Sequence, residues 1–243
     1  ARRLVRGRIG CGNGPLVRRH LASHRHPVSD QRGVALEALH EEHPDVGADH
    51  AAIATHGLRD LFAFAQQNGD LVLIDAGCEL DCYASDITRT FPVNGHFTAP
   101  QRALYELVLE AQQAAIAKVR AGNHWNDPHQ AAVRVLTKGL LKLGLLRGTL
   151  AKAMKAQAYT KFYMHRTGHW LGMDVHDVGD YKIDGHCRQL EPGMVLTVEP
   201  GIYIPRGAKG VAKKWQGIGI RIEDDVLVTR GEPDVLSKDA PKT

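Results

Sequence analysis

Lysine is missing from the first 68 residues of this 243-residue chain, which carry nine Arg and seven His instead. The rest of the chain holds ten Arg, twelve Lys and seven His, so the composition breaks near residue 69. Cysteine is scarce. Cys11, Cys78, Cys82 and Cys187 form no CxxC pair, which removes zinc-finger readings and favours free thiols in a reducing compartment. No apolar run reaches the ~18 residues of a membrane-spanning helix, and the Arg-rich start lacks the apolar core of a signal peptide. A cytoplasmic protein without a membrane partner is the expectation. Net charge is only +4, with no long basic run beyond the N-terminal stretch, so the chain as a whole makes no case for nucleic acid. A GxSxG elbow is absent, as are a P-loop and a GxGxxG following a strand, which excludes the chemistries those motifs serve.

What is present suits a globular protein of one large or two small domains, 43% hydrophobic and 24% charged, with enough chain to bury a core. Two regions are expected: an atypical segment, 1–68, and a domain that carries the chemistry, 69–243. Runs in the first such as Arg18-Arg19-His20 fit neither an amphipathic helix nor an alternating strand. Only 34–39 and 58–65 hint at short helices. A basic arm for an anion, a disordered tail and a misread stretch of sequence remain open for it. Its histidines have no ligand spacing.

From Gly69 onward the pattern is clear. Asp70 to Asp75 reads as a short apolar strand broken by Ala76-Gly77, and Tyr83 to Phe91 as a second strand ended by Pro92 and Asn94-Gly95. Thr98 and Gln101 form a capping-box signature before Leu104, Leu107, Val108, Ala111 and Ala115, a helical face stopped by Gly122. A second helix starts at Asp127 with Pro128 in its first position, buries Val135, Leu136, Leu140 and Leu143, and ends at Gly144. A short helix over 150–158 follows. Strands return at 194–199, 201–205 and 218–229. The order predicts an α+β fold, helices covering one face of a mostly antiparallel sheet.

Acidic residues sit where such strands should be apolar. Asp75 ends one strand and Asp86 lies inside the next; Glu199 follows Val195–Val198, and Glu223 follows alternating isoleucines on the same face as Arg221. Either aspartate alone could cap a turn. Together, buried carboxylates repel one another and are costly unless a cation pairs them. His165, His169 and His176 add three imidazoles within twelve residues, punctuated by Gly168, Gly172 and Gly179. Four carboxylates and an imidazole form a hard, oxygen-rich set suited to two divalent ions, Mn²⁺ first, with Zn²⁺, Co²⁺ and Fe²⁺ as alternatives. A closed structural zinc site would use Cys and His instead.

The segments LVLIDAG, YASDITRTFPVNG, HRTGHWLGMDVHDVG, LEPGMVLTVEPGIYI and GIGIRIEDD resemble, in order, the motifs of aminopeptidase P and prolidase, the proline-specific branch of the pita-bread metallopeptidases. The resemblance covers about residues 69–230. It implies the pita-bread fold, with Asp75, Asp86, His169, Glu199 and Glu223 as metal ligands and Asp86 and Glu223 bridging two ions. It further implies that His165 and His176 line the substrate site, that Tyr203 and Arg221 hold the ligating carboxylates, and that Glu199 moves a proton. The substrates implied are peptides with proline at the second position, and a homo-oligomer is compatible with the family. Where the family places a His-Tyr pair ahead of the first aspartate, this chain has Leu58 and Arg59, so the first half of the domain reads as incomplete. Three functions stay open: an aminopeptidase releasing the residue before proline, a prolidase acting on Xaa-Pro dipeptides, and a catalytically silent binding protein.

Overall fold

A strand that buries its polar side sets up the architecture. The computed structural model describes residues 5–10 and 67–242. The helices expected at 34–39 and 58–65, and the three readings of segment 1–68, lie outside the described residues except for β1 (Val5–Gly10), which pairs parallel to β2 (Leu71–Leu80). On its other edge β2 pairs antiparallel with β3 (Tyr83–Ala84) and β4 (Ile87–Pro92). Along β4, Thr88 and Thr90 are buried while Phe91 is 41% exposed. The side facing inward is therefore the polar one.

Two expectations change here. The strand expected to break at Ala76-Gly77 runs on to Leu80. The pairings Ala76↔Ile87 and Glu79↔Ala84 share one register, which sets Gly77 opposite Asp86. The backbones approach so closely there that a Cβ on Gly77 would lie 1.7 Å from the Ser85 carbonyl oxygen. The glycine marks a close approach, not a strand end. The strand expected over Tyr83–Phe91 divides at Ser85-Asp86, because the Asp86 N–H donates to the Asp225 carboxylate (3.2 and 3.3 Å) instead of joining a ladder.

The helix α1 (Ala99–Ile116) begins as its cap predicts: Gln101 Oε1 accepts from the Thr98 N–H at 2.8 Å, and Gln101 Nε2 donates to the Gly69 carbonyl. It ends at Ile116, before Gly122. The next helix, α2 (Asn126–Lys142), buries Ala132, Val133, Leu136 and Leu140; Val135 and Leu143 lie half-buried at the margin of that face. The helix expected over 150–158 splits into α3 (Leu150–Lys155) and a 3-10 turn (Ala158–Lys161), with Gln157 left-handed between them (φ 49°).

After a short hairpin of β5 (Lys182–Ile183) and β6 (His186–Cys187), the chain forms β7 (Val195–Val198), β8 (Gly201–Tyr203), β9 (Gly219–Arg221), β10 (Asp224–Leu227) and β11 (Asp234–Val235). The strand expected over 218–229 is thus two strands. β7 pairs with β10 (Val198↔Asp224) and β8 with β9 (Gly201↔Arg221), and one antiparallel register runs through both. The result is a single bent ribbon in which Glu199-Pro200 faces Ile222-Glu223. Proline offers no N–H there, and the Ile222 N–H reaches the Pro200 carbonyl only at 3.4 Å, so the ladder lapses at the bend. Val198, Ile202, Ile220, Ile222 and Val226 bury the ribbon in one core with α1 and α2. This is the expected α+β layering, and among the described residues no helix is long and apolar enough to cross a membrane.

Gly77→Ala would force β2 away from Ser85. A loss of about 1–3 kcal/mol is expected from such overpacking, read as a lower urea midpoint. An unchanged midpoint would refute the close-approach account.

Candidate metal centre

The four acidic side chains enter the centre from three features of the backbone. Asp75 sits in the middle of β2, not at its end, directly across from Thr88. Asp86 sits in the gap between β3 and β4. Glu199 and Glu223 stand opposite each other at the bend of the ribbon. All but Asp75 therefore come from interruptions in strands, where the ladder lapses.

Donor atoms from three groups of residues each lie within 4.8 Å of one another: Asp75 with Asp86 and Glu223; His169 with Glu199 and Glu223; Asp86 with His169 and His176. The five expected ligands are all brought together, and Asp86, Glu223 and His169 each belong to two groups. His176, expected to face substrate, stands edge-on to His169 with ring centroids 4.3 Å apart.

The environment fits a cation. His169 Nδ1 donates to the Trp170 carbonyl at 2.9 Å, which turns Nε2 toward Asp86 Oδ2 (3.4 Å) and Glu199 Oε1 (3.7 Å). A ligating histidine fixed through its other nitrogen by a backbone carbonyl is the usual arrangement around a metal. In the absence of a bound cation the groups would share protons. Burial, with Asp86 adding to it, pushes Glu199 up to about 7. Burial, reinforced by Glu199 and Asp86, pushes Glu223 well above the usual carboxylate range. Burial opposes the charge on His169, but Asp86 and the Trp170 carbonyl outweigh it and raise its pKa. Burial likewise opposes ionisation of Asp86, where the contact with His169 and the charge of Arg221 prevail and lower it.

The supporting residues act through hydroxyls and one guanidinium. Arg221 Nη2 binds Asp75 Oδ2 at 2.5 Å, and Nε donates to Thr88 Oγ1 at 3.0 Å; that hydroxyl in turn donates to Glu223 Oε2. Thr90 Oγ1 both donates to the Arg221 carbonyl (2.8 Å) and accepts from its N–H (3.1 Å), locking this stretch of β9 to β4. The Tyr203 hydroxyl lies 2.9 Å from His165 Nε2 and 3.4 Å from Arg221 Nη1. Since His165 Nδ1 donates to the Arg166 carbonyl (2.8 Å), Nε2 accepts from Tyr203. Burial raises the Tyr203 pKa and keeps that proton in place. Thr197 Oγ1 accepts from the His169 N–H (3.1 Å) and donates to Glu199 Oε1 (3.4 Å). Gly168 lets the His169 loop lie against β7: a Cβ there would sit 1.9 Å from the Thr197 carbonyl oxygen.

Sequence reasoning passed over Thr88, Thr90, Thr197 and Asp225. The period-two polar run Asp86-x-Thr88-x-Thr90 was the available signal for the first two, and the Glu223-x-Asp225 spacing for the last. Asp225, pushed up to about 7 chiefly by burial, supports Asp86 through its backbone N–H.

A profile of metallopeptidase family M24 matches residues 33–230. The chain is 54% identical over 175 residues to a Xaa-Pro aminopeptidase of Haemophilus influenzae, covering 72% of this chain and 40% of the relative. It is 52% identical over 163 residues to one of Escherichia coli, covering 67% and 36%. The solved aminopeptidase PepP of Pseudomonas aeruginosa superposes with a TM-score of 0.73 at 62% identity, over 74% of this chain and 41% of that one. The chain thus spans about two fifths of the length of these relatives, and the fold is theirs: the pita-bread fold.

The raised groups set the sign of a pH effect in the metal-free chain. Glu199, Glu223 and Asp225 hold protons more tightly folded than unfolded, and so does His169. Their stabilisation is complete below about 4.5 for the glutamates and about 3.8 for Asp225, and is lost as pH rises; for Glu199 and Asp225 the loss runs up to about 7. The melting temperature of the metal-free chain is expected to fall from pH 5.5 to pH 8, and divalent metal to restore it most strongly at pH 8, with proton release on binding. A melting temperature that rises with pH in the absence of metal would contradict this account.

Proposed function

We propose that this chain, which belongs to metallopeptidase family M24, forms the two-metal catalytic centre of an aminopeptidase that cleaves the bond before a proline in second position. The observation that carries the reading is the clustering of Asp75, Asp86, His169, Glu199 and Glu223 in groups that share members. The names of its relatives, Xaa-Pro aminopeptidases of which it spans about two fifths, point to the substrate.

Asp75, Asp86 and Glu223 would hold one ion, and Asp86, Glu223, His169 and Glu199 the other. Mn²⁺ is the first choice for a set with four carboxylates and one imidazole. The bound pair supplies an acidified water and a Lewis acid for the scissile carbonyl.

The chain's own residues do the rest. Arg221 fixes Asp75 and, through Thr88, Glu223. Glu199, with Oε2 3.8 Å from His165 Nδ1, takes the proton of the attacking water and passes it toward the leaving nitrogen. Tyr203 holds the His165 ring by donating to Nε2. His176, exposed and edge-on to His169, would contact the peptide group under attack. The acidic lining attracts the substrate's free ammonium group and so favours cleavage at the N-terminus.

The test is hydrolysis by the 243-residue chain of an Xaa-Pro-Xaa tripeptide and an Xaa-Pro dipeptide, with and without Mn²⁺. Metal-dependent cleavage of the tripeptide is expected. Asp86→Ala should remove metal binding and lower kcat/KM by more than the ~10²-fold typical of losing an outer-sphere partner. Full activity in Asp86→Ala would sink the ligand assignment, and exclusive cleavage of the dipeptide would move the function to a prolidase.

A further inference from the structure

His129 lies on the first turns of α2, outside the centre, and nothing in the proposed chemistry uses it. It is nevertheless tied to the segment that carries two of the centre's histidines. His129 Nδ1 lies 2.8 Å from Thr167 Oγ1, and the same hydroxyl lies 2.6 Å from the Tyr163 hydroxyl. Thr167 is 3% exposed and Tyr163 1%. Three residues before His129 on the same helix, Asn126 Oδ1 accepts from Arg166 Nη2. One face of α2 thus holds two consecutive residues of the loop.

Burial, helped by Arg166 and His165, holds the His129 pKa down to about 4, so the ring is neutral. In the tautomer with its proton on Nε2, Nδ1 accepts from the Thr167 hydroxyl, which accepts in turn from Tyr163. Thr167 stands between His165 and His169 in sequence, and its carbonyl accepts the Glu199 N–H at 2.8 Å. One threonine therefore connects α2 to three residues of the centre.

We propose that His129 is a positioning residue for the metal centre: through Thr167 it fixes the loop bearing His165 and His169 and its backbone tie to Glu199. The inference rests on the metal reading above. Ligand atoms must be held within about 0.5 Å of their working positions, and a loop anchored on a helix through a buried hydroxyl meets that demand better than one held by its backbone alone.

The experiment measures Mn²⁺ affinity by calorimetry on the purified 243-residue chain, with the melting temperature of the metal-free form alongside. His129→Leu is expected to weaken binding about 10- to 100-fold. His129→Asn, whose Oδ1 replaces Nδ1 as an acceptor, should retain most of the affinity. Thr167→Val should match His129→Leu, Thr167→Ser should behave as wild type, and the double variant His129→Leu/Thr167→Val should lose no more than either alone. Should His129→Leu fail to fold, the Thr167 pair carries the comparison. Wild-type affinity in His129→Leu or Thr167→Val, additive losses in the double variant, or equal losses in His129→Asn and His129→Leu would each overturn the positioning role. A wild-type chain that folds but binds no Mn²⁺ would overturn the metal reading, and this inference with it.

Discussion

Glu199 and Glu223 face each other across the bend of one β-ribbon, and the rest of the structure accommodates that opposition. Like charges directly opposite on paired strands are destabilising, and burial makes the repulsion larger. Asp75 and Asp86 enter the same space from a second sheet. A cation is the simple remedy; protons on Glu199 and Glu223 are the remedy without one. The bend belongs to the same solution. At Pro200 and Ile222 the ladder lapses, so the two glutamates turn inward together where regular pleating would hold them to the sheet.

The acidic triplet Glu223-Asp224-Asp225 shows how alternation divides labour among neighbours. Glu223 points to the centre. Asp225, two residues on, accepts the Asp86 N–H and so shapes the strand break that presents the Asp86 carboxylate. Asp224 points the other way and is fully buried. It accepts from Arg89 Nη2 (2.9 Å), Gln112 Nε2 (3.0 Å), Ser237 Oγ (2.8 Å) and Lys242 Nζ. Arg89 Nη1 also donates to the Glu223 carbonyl at 2.6 Å. A buried charge is tolerable only when paired and hydrogen-bonded, and Asp224 meets that condition with partners from β4, α1 and the C-terminal stretch. The backbone of a proposed ligand is thereby clamped from the face opposite its side chain.

The ligand candidates were legible because carboxylates in apolar, β-branched surroundings are anomalous on their own terms. Asp75, Glu199 and Glu223 stood out from the runs beside them, and the helices were legible from caps and periodicity. What failed was local reasoning about where strands stop. Gly77 looked like a breaker, yet its partners, Ser85 and Asp86, lie across a hairpin between β3 and β4, and pairing of that kind is invisible in a six-residue window. The inward side of β4 went unassigned for a related reason. Alternation normally puts the apolar residues inside, but here Thr88 and Thr90 go inside because Arg221 and Glu223 await them. His129 left no mark at all. Its partner is 38 positions away, and a single histidine on an amphipathic helix is ordinarily just a half-buried residue.

Threonine is the recurring device. Thr88 joins Arg221 to Glu223, Thr90 clamps the backbone of Arg221, Thr167 joins α2 to the histidine loop, and Thr197 joins His169 to Glu199. All four are buried. The β-branch leaves few χ1 rotamers and suits an extended backbone, and the hydroxyl donates and accepts at once. Such a residue passes orientation from one polar group to the next without adding charge to a space already crowded with carboxylates. A serine would do the chemistry with a looser side chain, and a longer amide would occupy room the ligands need. The choice follows from the opposition of Glu199 and Glu223: once like charges must be held together and apart from other anions, the groups that hold them have to be neutral, short and stiff.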